Sequence, residues 1–304
     1  MEQWLLSHCW GSKTMNEQLS LFEFSDNRYK ITKPIRLIEL FSGIGMQEFG
    51  IKEAFPNTIT YKTCEWASDS IIAYNDIWQD NKQVAINLTK EELINFLYDK
   101  GISLDWNTPA TREQIKRINE NKLKMIYSSI ILNHNLVNIS KITGKDLEIV
   151  DVDQFDYIMT YSFPCQDLSL SGERKGMKED EETRSGLVWQ VLRILKECAN
   201  KPQILIMENV PQVHGSANFE EWKKILNELV SLGYSNYWKD LNAKDYGIPQ
   251  NRNRCFMVSI LGKYFYSFSH KISLEKHLKD LLESNVDKKY YLDKKLIKYS
   301  QTDC

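Results

Sequence analysis

At 304 residues, 42% apolar and 26% charged, the chain has the make-up of an ordinary globular protein, long enough for one large domain or two small ones. No apolar run approaches the ~20 residues that cross a bilayer, and the opening Met1-Glu2-Gln3-Trp4-Leu5-Leu6 lacks the basic flank and long apolar stretch of a secretory signal. The formal net charge of −2 offers polyanions no global attraction, so any nucleic-acid contact has to come from locally clustered Lys and Arg.

The six cysteines (Cys9, Cys64, Cys165, Cys198, Cys255, Cys304) are scattered, with no CxxC pair and no His-rich partner. That spacing argues against a zinc site or a disulfide framework and predicts a reducing, cytoplasmic setting. Residues 1–33 read as a polar, flexible leader with little periodicity. From 34 to 262 the pattern is that of a folded domain. Ile35 to Phe41 predicts a strand, a Gly-containing turn follows, and Met46 to Phe55 has helical spacing. Tyr61 to Trp66 predicts the next strand and Ser68 to Tyr74 a helix, with Ser68 or Asp69 near its N-cap.

Between 79 and 133 the composition turns charged and helix-forming, and this stretch reads as a helical insertion. Thr89 and Thr111 stand as N-caps three residues before Glu92 and Gln114. Strand and helix then alternate: Tyr157 to Tyr161, Gly186 to Ala199, Ile204 to Met207, Glu220 to Leu232, and Arg254 to Ile260. Such alternation predicts an α/β fold with a mostly parallel sheet covered on both faces. The tail, 263–304, is rich in Lys, Tyr and Asp and has no core pattern.

Four constellations carry chemistry. Phe41-Ser42-Gly43-Ile44-Gly45 fills the first βα turn, where glycines let backbone approach a ligand, though by itself it also fits a tight turn. Glu65, ending strand two about 20 residues later, suits ribose hydroxyls, and Trp66 suits an adenine face. A surface carboxylate and a core aromatic are the alternatives.

Next, Tyr157 to Phe163 ends in Pro164-Cys165-Gln166, putting a thiol at a strand's tip where it can act as a nucleophile, or simply fill a core. Beyond it, Ser169, Ser171, Arg174 and Lys175 lie in a Gly-containing loop and could reach phosphates or bases. Third, Glu208 in Met207-Glu208-Asn209-Val210 sits at another strand's carboxyl end, placed to hold or deliver a proton. Last, Arg252 and Arg254 in Gln250-Asn251-Arg252-Asn253-Arg254 share one face of an extended chain, either as base-reading guanidiniums or as a surface pair.

In this order the set resembles the cytosine-5 DNA methyltransferase family over roughly Pro34 to Val258. The resemblance implies a Rossmann-like fold that uses S-adenosyl-L-methionine, with double-stranded DNA as substrate and the target cytosine flipped into a pocket. It assigns Cys165 to attack at C6, Glu208 to N3, Arg254 to the O2 side, and Arg252 to the same catalytic motif. It carries cofactor contacts to Phe41, Ser42, Gly43, Ile44, Gly45, Glu65, Trp66, Asn138, Ile139 and Pro164, and DNA contacts to Gln166, Ser169, Ser171, Arg174 and Lys175. Asn209 would brace the nucleophile loop. Asn138 stands where relatives carry an acidic residue; its amide oxygen can accept the same bond from the adenine amino group.

The resemblance also implies a restriction-modification or mobile-element setting in a bacterium or phage, associated with the nucleoid. Relatives continue into a target-recognition region and two final motifs, so a second subunit supplying these, or a truncated product, is the expectation for a chain ending at Cys304. Within the leader, Gln18-Leu19-Ser20-Leu21-Phe22 resembles the peptide by which bacterial proteins bind the sliding clamp, with Gln18, Leu19, Leu21 and Phe22 as contacts. The alternatives are a tRNA cytosine-5 methyltransferase and a non-catalytic remnant.

Overall fold

The computed structural model describes residues 27–166, 168, 177 and 185–291. Its frame is a six-stranded sheet in the order β2-β1-β3-β4-β6-β5. The strands are β1 (Ile35–Leu40), β2 (Ile59–Cys64), β3 (Asp156–Tyr161), β4 (Ile204–Asn209), β5 (Tyr234–Asn242) and β6 (Asn253–Leu261). β1 pairs in parallel with β2 and β3, and β3 with β4; β6 then runs antiparallel to β4. The sheet is therefore mixed but mostly parallel.

Every residue of β3 is buried, as expected for a central strand covered on both faces. Alternate side chains divide between two cores. Ile38, Leu40, Tyr157, Met159, Tyr161, Leu205, Met207, Cys255 and Met257 enter one, and Leu37, Ile158, Ile204, Val258 and Ile260 the other. The first core is closed by α6 (Val188–Glu197) and α7 (Phe219–Ser231), whose buried Val188, Leu192, Leu195, Trp222, Ile225 and Leu229 recur at helical spacing. Ile51 of α1 (Met46–Ala54) packs against the second.

Three helices occupy the charged stretch: α3 (Lys90–Lys100), α4 (Arg112–Lys116) and α5 (Glu120–Leu132). They share a core with Ile71 of α2 (Ser68–Trp78). Thr89 and Thr111 both form capping boxes, with Glu92 and Gln114 returning the bond to the N-cap backbone. The end of the expected leader is tied down. Tyr29 Oη and the N–H groups of Thr32 and Lys33 all donate to the Asp156 carboxylate.

β5 has no counterpart among the predicted elements. Its sequence, YSNYWKDLN, lacks a β-branched run and is mostly half-exposed, as an edge strand can be. The chain divides into two compact units, one of residues up to 240 with 254–268, the other of 241–253 with residues from 269 onward. In the second unit Tyr246 forms a parallel bridge with Ile272, and Lys271 pairs with Asp245 at 2.7 Å. No helix among the described residues is long and apolar enough to cross a membrane.

Candidate active site

β3 delivers its chain end to a short segment without regular structure, Ser162 to Cys165. Such a segment holds one shape only if its backbone polar groups find partners elsewhere. Here three successive carbonyls do. Phe163 O accepts from Asn209 Nδ2 at 3.0 Å, Pro164 O from Ser185 Oγ at 2.8 Å, and Cys165 O from Leu168 N at 3.0 Å. Ser162 Oγ is in addition bonded by Gln47 Nε2. The Phe163 ring is buried and acts as an anchor. Cys165, half-buried against the first core, is a free thiol. Gln166 follows in an exposed turn.

β4 runs parallel to β3, so Glu208, next to its last residue, emerges at the same edge of the sheet as Cys165. β6 enters that edge from the opposite direction and brings Arg254 with it. Glu208 faces Phe256 across the antiparallel pair, and Arg254, two residues from Phe256, reaches the carboxylate diagonally. The Arg254 Nε to Glu208 Oε1 distance is 3.1 Å, with both side chains mostly shielded from solvent. Thiol, carboxylate and guanidinium thus come from three neighbouring strands at one rim. Arg252 lies in the second unit, where its N–H donates to Asn242 Oδ1 at 3.1 Å and its carbonyl accepts from Ala243 N at 3.0 Å.

The expected cofactor residues lie at the carboxyl ends of β1 and β2. Phe41, Gly43 and Gly45 all have positive φ (58°, 55° and 85°), so the turn doubles back tightly. Phe41 and Ser42 donate their N–H groups to Cys64 O. The Glu65 carboxylate accepts from Gly43 N at 3.0 Å and from Ala67 N at 2.8 Å. Burial pushes its carboxyl upward, and these N–H bonds oppose that shift.

Two observations bear on whether a ligand fits. A Cβ built on Gly43 meets nothing within 4 Å, so the backbone there borders open space. Ser42 Oγ and Gln47 Oε1 are buried and have no partner, in contrast to most buried polar atoms. Open space at a glycine turn beside unpaired polar atoms and a carboxylate suits a nucleoside-bearing cofactor such as S-adenosylmethionine. Ile44 is exposed, and its carbonyl accepts from Trp78 Nε1 at 3.0 Å. Pro164 is half-buried. Trp66 is partly buried against the helical core.

Asn138 and Ile139 are both buried. The Asn138 oxygen already accepts from Ser140 N at 3.0 Å, and its amide nitrogen donates to Gly101 O. Ser169, Ser171, Arg174 and Lys175 lie outside the described residues, as do Gln18, Leu19, Leu21 and Phe22.

Sequence reasoning missed several supporting residues. Asn135 brackets the Glu65 peptide, its Oδ1 accepting from Glu65 N and its Nδ2 donating to Glu65 O. It follows a helix with no motif to mark it. Ser185 and Gln47 are likewise single polar residues whose role exists only once distant segments meet. Beneath the turn, Glu39 and Glu48 are both buried and share the Tyr74 hydroxyl. The alternation of β1, which puts Glu39 among buried neighbours, was the available signal for that cluster.

A family model described as C-5 cytosine-specific DNA methylase matches residues 96–303. The type II methyltransferase M2.ScrFI of Lactococcus lactis subsp. cremoris is 38% identical over 263 residues, 85% of this chain and 70% of that protein. The orphan methyltransferase M.SssI of Spiroplasma monobiae is 35% identical over 280 residues, 90% of this chain and 70% of that protein. Among solved structures, the Entamoeba histolytica methyltransferase EhMeth superposes with a TM-score of 0.57 at 21% identity, covering 88% of this chain and 65% of that one. The S. pombe Dnmt2 methyltransferase gives 0.53 at 21% identity, covering 87% and 66%. These two likenesses concern the fold: a methyltransferase α/β sheet flanked by helices. The family match and the two curated relatives together establish that the chain belongs to an enzyme family, the C-5 cytosine-specific DNA methylases.

Proposed function

We propose that the protein methylates cytosine at C5 in double-stranded DNA, within a restriction-modification or mobile-element modification system. The observation that carries this reading is that three neighbouring strands deliver Cys165, Glu208 and Arg254 to one edge of the sheet, the edge where Gly43 and Glu65 also lie. Bound S-adenosylmethionine supplies an electrophilic methyl group on its sulfonium.

The residues of the chain account for the rest. A cytosine turned out of the duplex stack exposes C6 to the Cys165 sulfur. Cytosine is a poor electrophile, so attack by the thiolate needs a proton or strong hydrogen bond at N3, which Glu208 provides. The new S–C6 bond leaves C5 electron-rich, and C5 takes the methyl group. The C5 proton then passes to water, the Cys165 sulfur leaves as the C5–C6 double bond re-forms, and the N3 proton returns to Glu208. Arg254, held by Glu208, fixes the O2 side of the ring. The bonded carbonyls of Phe163, Pro164 and Cys165 keep the thiol positioned, so little ordering remains for the reactive step. Gly43 and Glu65 suit the cofactor's nucleoside end.

Methyl transfer from labelled S-adenosylmethionine to duplex DNA and to tRNA, measured side by side, tests the proposal. Label at cytosine C5 in the duplex supports it. Label in tRNA alone would replace it with the RNA reading, and label in neither, even with a second polypeptide carrying a recognition region, would leave a non-catalytic binder.

A further inference from the structure

We propose that His214, Asp240 and Cys255 form a binding site for a borderline-soft divalent cation of the zinc class. One ligand atom from each lies within 4.8 Å of the other two. His214 Nε2 and Asp240 Oδ1 are 2.9 Å apart, and the Asp240 carboxylate also bonds the Cys255 side chain. The three donors come from separate places in the fold: His214 ends the 3₁₀ turn Pro211–His214 that follows β4, Asp240 lies on β5 and Cys255 on β6. Their separation in the chain is why the scattered cysteines gave no metal pattern.

An imidazole, a thiol and a carboxylate are the donor set that zinc and cobalt take, three from protein with a fourth position for water. Cys255 is fully buried while Asp240 is partly exposed, which leaves an approach from the carboxylate side. The His214 ring is walled by Trp238, with centroids 4.6 Å apart, and by Trp222 at 6.2 Å, so its orientation is fixed before any ion arrives. The Cys255 thiol has one proton to give up. Binding exchanges that proton for the cation: the S–H bond breaks, a sulfur–metal bond forms, and one proton passes to solvent.

Position gives the site a consequence. Cys255 stands opposite Asn209 in the β4–β6 register, between Arg254 and the Phe256 that faces Glu208. An ion held here clamps the turn after Glu208 and Asn209 to the strand that carries Arg254. The site lies on the opposite face of β6 from Arg254, so it does not depend on the proposed reaction.

Cobalt titration of the chelator-stripped full chain is the test. One equivalent of Co²⁺ should give a near-ultraviolet sulfur-to-cobalt band with intense visible bands of a tetrahedral ion, and Zn²⁺ should bleach both. The bound ion should also raise the melting temperature by on the order of 5 °C near saturation. Cys255→Ser should lose the near-ultraviolet band. His214→Gln and Asp240→Asn should weaken binding by more than the roughly 10- to 100-fold that outer-shell changes cost. Cys165→Ser should leave the spectrum unchanged. Circular dichroism reports whether each variant is folded, and if Cys255→Ser is not, the His214→Gln spectrum decides. Absence of the band in the folded wild type, its survival in Cys255→Ser or His214→Gln, or its loss in Cys165→Ser would overturn the assignment.

Discussion

Asn209 Nδ2 donates across 3.0 Å to the carbonyl of Phe163, two residues before Cys165. The residue beside the β4 carboxylate thereby holds the backbone of the β3 thiol. Its own Oδ1 accepts from Val210 N at 2.8 Å, so the side chain is locked at both ends. Asn209→Ala leaves a buried carbonyl unpaired and should destabilise the fold by about 1–3 kcal/mol. Turnover should fall while the affinity for S-adenosylhomocysteine stays within about twofold, because the glycine turn is untouched. Denaturant unfolding and calorimetric titration read the two effects separately.

The Glu208–Arg254 pair predicts a different pattern. Arg254→Lys keeps the charge but loses the planar fork that can hold Glu208 and a base oxygen together. Turnover should drop roughly tenfold or more with DNA affinity little changed. Glu208→Gln removes the proton donor and should cost about 10²–10⁴ in kcat. A Glu208→Gln enzyme with wild-type kcat would mean that N3 is activated by another group.

Two glycines of one turn should respond differently to alanine. At Gly43 an added Cβ meets nothing within 4 Å, so only the left-handed φ of 55° is penalised, by about 1–2 kcal/mol. At Gly45 the Cβ would fall 2.2 Å from Trp78 Nε1, forcing out the ring that bonds Ile44 O. Gly45→Ala should therefore unfold at lower denaturant than Gly43→Ala. Gly43→Ala should instead show its main loss in S-adenosylhomocysteine binding.

Glu39 gives a pH prediction with a definite sign. Burial pushes its carboxyl up to about 8 from 4.5, repulsion from Glu48 adds to this, and bonds from Tyr74 and the Glu48 N–H oppose it. Between those two values the unfolded chain has released a proton that the fold still holds. The contribution to stability is thus complete below about 4.5 and lost as pH rises through about 8. The urea midpoint of the wild type should fall over roughly pH 4.5 to 8, and Glu39→Gln should flatten that fall. Parallel curves for the two proteins would remove Glu39 as the cause.

What the sequence made legible was whatever repeats locally. Buried runs and helical spacing marked β1, β3, β4, β6, α1, α6 and α7, and the threonine caps marked α3 and α4. β5 was not visible because an edge strand rich in Asn, Lys and Asp carries no apolar alternation. At the rim, Cys165, Glu208 and Arg254 could be named because each lies at or just beyond the end of a strand. The braces around them could not, since Ser185, Asn135 and Gln47 matter only through distant partners. The joining of His214, Asp240 and Cys255 was hidden for the same reason.

The most direct measurement is covalent trapping on duplex DNA containing 5-fluorocytosine, in the presence of S-adenosylmethionine. Fluorine cannot leave C5 as a proton does, so the sulfur–C6 bond, once made, should persist through denaturation. The account predicts one denaturant-stable complex whose peptide map places the base on Cys165, and none with Cys165→Ala. An adduct on another cysteine, or methylated DNA from a folded Cys165→Ala protein, would contradict it.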